Sequence, residues 1–292
     1  MDPRAWFLAL AAVPLGAQGP PGTDIFLVDL RERGGRMEIG APVNVTHRAG
    51  YDNQPSFAPD GRSFLYTSVA DGQADIWRYD IAAGRSVRLT TTPESEYSAT
   101  PLPDGSGFSV VRVEADSTQR LWRFDWDGGH PTLILTGVKP VGYHAWGDAN
   151  TVALFVLGEP ATLQIADLRT GTATPVARDI GRGVQRIPGR RAISFVQKGA
   201  DSSWSVSEVD LATRQIRPLV RTLPGVDQYA WTPGGRVLLM AKGAKLYQWN
   251  QARGTTWEEV ADFTALGIAS ITRLAVSREG DRLALVAADR AP

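Results

Sequence analysis

A tight-turn signature built on Pro-Asp-Gly returns along this chain at a nearly constant interval, and that interval restricts the folds open to it. The signature is intact at Pro59-Asp60-Gly61 and Pro103-Asp104-Gly105. Looser equivalents follow at Asp148-Ala149-Asn150, Pro188-Gly189-Arg190, Pro233-Gly234-Gly235 and Arg278-Glu279-Gly280. Measured at Gly61, Gly105, Ala149, Arg190, Gly235 and Gly280, the steps are 44, 44, 41, 45 and 45 residues. Proline fixes φ, aspartate caps its own backbone and glycine accepts φ > 0, so each copy predicts a hairpin turn. A four-stranded sheet of about forty residues cannot bury both faces alone, and repeats of this length stack as propeller blades.

The strands on either side of the turns support this. Behind each turn comes an apolar run, among them Phe64-Leu65-Tyr66, Val152-Ala153-Leu154-Phe155-Val156 and Val237-Leu238-Leu239-Met240. Continuous apolar runs of that length suit strands packed on both faces. Next come alternating segments such as Asp75-Ile76-Trp77-Arg78-Tyr79-Asp80 and Lys245-Leu246-Tyr247-Gln248-Trp249-Asn250, whose period of two predicts one packed face and one wetter face. The last repeat ends at Pro292 after two strands, whereas Thr23 to Leu30 has the third-strand pattern and Glu38 to Thr46 can supply the fourth. The expected architecture is therefore an all-β, six-bladed β-propeller of four-stranded antiparallel blades over residues 20–292. Its ring would be closed by pairing the N-terminal strands with the C-terminal strands in one blade, leaving no long sheet edge open.

The run Gln54-Pro55-Ser56-Phe57-Ala58-Pro59-Asp60-Gly61-Arg62, with Asp75-Ile76-Trp77-Arg78-Tyr79-Asp80, resembles the TolB-type, WD-like six-bladed propeller repeat. The resemblance is close in the first two full blades, and the copies around Ala149 and Arg190 lack the intact turn. It implies an exported bacterial propeller that acts as a binding module in the periplasm.

Composition narrows the function. Lys+Arg 31 against Asp+Glu 31 leaves no general basic field, so no nucleic-acid partner is expected. No cysteine is present, so there is no disulfide framework and no thiolate nucleophile. Residues 1–19, with Arg4, the apolar run Ala5 to Val13 and small residues to Gly19, fit a signal peptide and predict a periplasmic or secreted protein. That run is too short to span a bilayer, so no transmembrane segment is expected in the mature chain, which should be a monomer. There is no Gly-x-Ser-x-Gly elbow, and the three histidines, His47, His130 and His144, are too scattered for a His-Glu-x-x-His helix.

With no catalytic residues assigned, attention falls on the channel mouth. In a propeller the innermost strands line the axis, so residues at their starts converge from all blades. Aligned on the turn, these are Asp52, Asn53, Gln54, Glu96, Tyr97, Tyr143, His144, Arg186, Asp227, Gln228, Tyr229 and Arg273. The expectation is a non-enzymatic module binding a protein, peptide or glycan partner there, without a cofactor. The alternative is a metal-dependent hydrolase of lactonase or esterase type. A channel Ca2+ would then take oxygen ligands from Asp52, Asn53, Glu96 and Asp227. For the carboxylates, a solvated rim or a salt bridge with Arg186 or Arg273 competes with this reading. The aromatic residues of the third strands, including Trp77, Tyr79, Trp122, Trp126 and Trp249, are expected mainly to pack the blades.

Overall fold

The computed structural model describes residues 21–199 and 203–288, and the signal-peptide reading of residues 1–19 falls outside them. Five blades are consecutive in the chain, each a four-stranded antiparallel sheet. Blade 1 runs through Asp52–Phe57, Ser63–Ala70, Gln73–Asp80 and Arg85–Arg88. The innermost strands of blades 2 to 6 are Ser95–Pro101, Val141–Asp148, Ile180–Arg186, Tyr229–Trp231 and Ile271–Val276. The only helical element among the described residues is one short 3-10 turn, Thr264–Leu266.

Blade 6 closes the ring as the repeat arithmetic demands. Thr23–Arg33 pairs antiparallel with Arg282–Ala288, from Thr23 opposite Ala288 to Asp29 opposite Arg282. Its outer partner is split rather than continuous. Arg36–Ile39 pairs with one end of Thr23–Arg33 and Val43–Asn44 with the middle. The break spans Gly40-Ala41-Pro42, where proline has no N–H to give to the ladder.

The core follows from the apolar second strands. Phe64 and Tyr66 pack towards Ile25, Ala284 and Val286 of blade 6, whereas Leu65 packs towards Phe108 and Val110 of blade 2. The same alternation gives one apolar cluster at each of the six blade interfaces. These strands are thus apolar throughout because each face meets a neighbouring blade. The turns behave as their residues predict: Gly61 has φ +67°, and the Asp60 carboxylate accepts the Arg62 amide at 3.0 Å.

Candidate functional site

Each innermost strand runs along the axial channel, and five of the six carry a register shift close to their start. The shifts lie between Asn53 and Ser56, Tyr97 and Thr100, Val141 and Tyr143, Ile180 and Val184, and Ile271 and Arg273. Bulges re-aim side chains and are common beside functional sites. Gln54 and Ser98, at matching places in two of them, have φ +59° and +56°. The channel has a volume of about 1010 Å³.

Six of the twelve predicted residues line it: Gln54, Tyr143, His144, Arg186, Gln228 and Arg273. The other six, Asp52, Asn53, Glu96, Tyr97, Asp227 and Tyr229, are absent from its wall. Asp52 is fully buried and pairs with Arg48 at 2.8 Å. Asn53 donates to Thr23 Oγ1 at 3.3 Å and accepts the Gln54 amide at 2.8 Å. Glu96 is buried against Arg112 at 3.4 Å and accepts the Thr92 hydroxyl. Burial raises its carboxyl to about 7, against the opposing pull of Thr92, Thr90 and Arg112.

Asp227 accepts from Arg182 Nε at 3.1 Å, from Arg182 Nη2 at 3.2 Å and from the Arg182 amide at 3.0 Å. Burial pushes its carboxyl up, but Arg182 outweighs this and holds it below the ordinary carboxylate range. Three acids therefore sit in three separate ion pairs, and among the described residues no group of three His, Cys, Asp or Glu is placed to hold a metal. The donor set proposed for a channel Ca2+ is not assembled.

What does meet on the channel wall is Tyr143 of blade 3, Arg182 of blade 4 and Arg273 of blade 6, with Tyr51 and Tyr97 within electrostatic range behind them. The Tyr51 phenol is pushed up to about 12, chiefly by burial, and Arg273, Tyr143, Tyr97 and Arg182 all act on it electrostatically. Asp227, from blade 5, anchors Arg182. Tyr51 and Arg182 escape a reading by repeat alignment. Tyr51 lies one position ahead of the aligned set, and the bulge after Ile180 shifts the axial residue of blade 4 upstream of Arg186. A local signal for Arg182 exists, however. It lies between two glycines that allow close approach: a Cβ on Gly181 would lie 2.7 Å from Asp227 Cβ, and one on Gly183 would lie 2.2 Å from the Asp227 carbonyl oxygen.

Behind this wall, two blade junctions repeat one polar device. Ser109 Oγ donates to its own blade at Thr100 O (3.2 Å), accepts Trp146 Nε1–H (2.9 Å) and lies 2.7 Å from His144 Nε2. Ser194 Oγ likewise donates to Gln185 O (3.2 Å), accepts Trp231 Nε1–H (2.8 Å) and accepts the Tyr229 hydroxyl (2.9 Å). His144 and Tyr229 thus take equivalent places. Burial pushes the Tyr229 phenol up and lowers the His144 imidazole to about 3, so His144 is neutral near pH 7. Among the described residues its Nδ1 has no partner.

Fold and site together define a six-bladed propeller whose axial channel carries Arg182, Arg186, Arg273, Arg278 and Tyr143 on its wall. No family model matches the chain. A candidate TolB from Agrobacterium tumefaciens shares the fold at TM-score 0.71 and 16% identity, over 94% of this chain and 100% of that one. The TolB of Acinetobacter baumannii gives TM-score 0.59 at 15% identity, over 91% of this chain and 64% of that one. An oligogalacturonate lyase from Vibrio parahaemolyticus gives TM-score 0.55 at 11% identity, over 93% and 98%. By sequence, an uncharacterized protein of Agrobacterium fabrum is 27% identical over 119 residues, so the match spans 38% of each chain. The protein therefore has the TolB-type propeller fold anticipated from its repeat. No helix among the described residues is long and apolar enough to cross a membrane.

Proposed function

We propose that this protein is an exported binding module that holds a protein, peptide or glycan partner at the channel mouth and catalyses no reaction on it. The observation that carries the reading is the gathering of Tyr143, Arg182, Arg186 and Arg273 on one channel wall, with Arg273 bonded to Tyr143 across it and Asp227 anchoring Arg182 from behind. Aromatic residues and arginine are enriched on recognition surfaces: aromatic rings bring large contact area with few rotamers to freeze, and arginine brings a planar fork of donors. Catalysis would need a nucleophile with a base in reach, or a competent acid–base pair. The histidine on the channel wall is neutral and buried, and it bonds a serine that two other groups already hold. The TolB-type fold supports export and binding by likeness alone, since fold does not fix function.

A photo-crosslinking amino acid in place of Arg186, exposed on the channel wall, tests the reading in the native host. Adducts should form from position 186, should be lost when Arg182 and Arg273 are replaced by methionine, and should not form from Val87 on an outer strand. Adducts from Val87 alone would overturn it, as would turnover of an ester, lactone or acidic saccharide abolished by those substitutions. Cell fractionation of the full chain and of a chain lacking residues 2–19 tests export; both found in the cytoplasm would remove that part of the proposal.

A further inference from the structure

Blades 3 and 6 face each other across the ring, since blade 3 packs between blades 2 and 4 and blade 6 between blades 5 and 1. Arg273 of blade 6 nevertheless donates from Nη2 to the Tyr143 hydroxyl of blade 3 at 2.8 Å, with its guanidinium carbon 4.9 Å from the ring centre. The contact spans the channel. It also leaves Arg273 without a counter-charge: among the described residues no carboxylate lies within ion-pair distance of it, whereas Arg48, Arg112 and Arg182 each have one. Arg186 and Arg278, also on the channel wall, have no such partner either, and Asp104 is the one carboxylate that lines it. Gln228 Nε2, on the same wall, is a buried donor with no acceptor. The unpaired charge on this wall is positive, and although His144 Nδ1 is an unpartnered acceptor there, the guanidinium groups with no carboxylate partner call for an anionic acceptor.

We infer that the occupant of the channel mouth, on the binding reading above, is an extended peptide that presents a carboxylate to Arg273 and displaces the Tyr143 hydroxyl from it. A phenol satisfies one N–H of the guanidinium fork, whereas a carboxylate satisfies two and supplies the missing charge. The remainder of the wall favours a peptide over a sugar chain. It presents Pro59, Pro103, Pro188, Pro233, Leu102 and Val276. Side chains alternate along an extended peptide, so apolar ones can bury on these residues while others reach polar groups of the wall such as Gln54, Gln185 and Ser277. The carboxylate belongs either to the peptide's C-terminus or to an Asp or Glu side chain.

Four probes separate these cases, each tested for retention on the immobilised full chain. They are random heptapeptides with a free C-terminus and no Asp or Glu, C-terminally amidated heptapeptides containing Asp and Glu, amidated heptapeptides without acids, and oligogalacturonate. Retention of the first or second pool at least tenfold above the third is expected, and which of the two is retained identifies the carboxylate. R273M should reduce that excess to about twofold or less. Y143F, which frees Arg273 from its cross-channel partner, should bind several-fold more tightly, so that a lost fold cannot imitate the result. Equal retention of all three peptide pools would overturn the carboxylate inference while sparing the binding reading. Retention of oligogalacturonate alone would replace the peptide with an acidic glycan. Retention of none would count against the binding reading itself.

Discussion

Glu96 is the residue where burial and charge conflict most openly. Its carboxyl titrates near 7 in the folded chain against an ordinary value of 4.5, so the folded state binds this proton more tightly than the unfolded state does. Stability therefore declines as pH rises from about 4.5 to about 7 and stays lower above that. E96Q keeps the shape and removes the titration. Urea denaturation should show it more stable than the natural chain at pH 8, by about 3 kcal/mol at most, and no more stable at pH 4. His144 works in the opposite sense. Its folded value near 3 lies below the ordinary 6.5, so its contribution is present above about 6.5 and is lost as pH falls towards 3. Ser109 holds His144 and Trp146 together, and S109A would leave both nitrogens without a partner in a buried site. The expected cost is roughly 1–3 kcal/mol, read from the urea midpoint. S194A should cost a similar amount at the equivalent junction, and a cost under about 0.5 kcal/mol at both would show that the repeated device contributes little.

Among the strands, the innermost one of blade 4 is the most demanding. Gly183 permits the close approach that seats Arg182 on Asp227, and a Cβ there would lie 2.2 Å from backbone oxygen and 2.9 Å from the Tyr229 ring. Backbone cannot yield as a flexible side chain can, so G183A should destabilise by about 2 kcal/mol or more and should also displace Arg182. Thermal unfolding checks the first effect and crosslinking from position 186 the second. G189A, at an open turn where nothing lies within 4 Å of the added carbon, carries only the φ +72° strain of about 1 kcal/mol. This contrast marks where sequence reading succeeds. Turns and second strands are legible because their chemistry is local: Pro59-Asp60-Gly61 specifies a turn whatever surrounds it, and Phe64-Leu65-Tyr66 is apolar because both its faces are packed. The axial residues are less legible because their places depend on bulges. The shift after Ile180 brings Arg182 to the channel wall beside Arg186, and Arg182 is the one that acts electrostatically on Tyr51. Asp52, Glu96 and Asp227 look like a ligand set in sequence, but they pair with Arg48, Arg112 and Arg182 rather than with the expected Arg186 or Arg273, and the fold brings the partner of Asp227 from another blade.

For the molecule as a whole, ring closure decides stability and the axis decides function. Six blade interfaces each bury an apolar cluster, and the junction of blades 5 and 6 includes Val28, Leu30 and Met37 from the N-terminal strands. Deleting residues 23–46 removes the outer half of blade 6 and opens its sheet edge, so that chain should lose cooperative unfolding or aggregate. A deletion variant that still melts in a single transition at the natural temperature would refute the closure account. The central claim is that the axial mouth is the recognition site. Hydroxyl-radical footprinting of the full chain, with and without the partner captured at position 186, tests it most directly. The account predicts protection of Tyr143, with Tyr247 of the third strand of blade 5 unchanged; protection of Tyr247 with Tyr143 unaltered would contradict it.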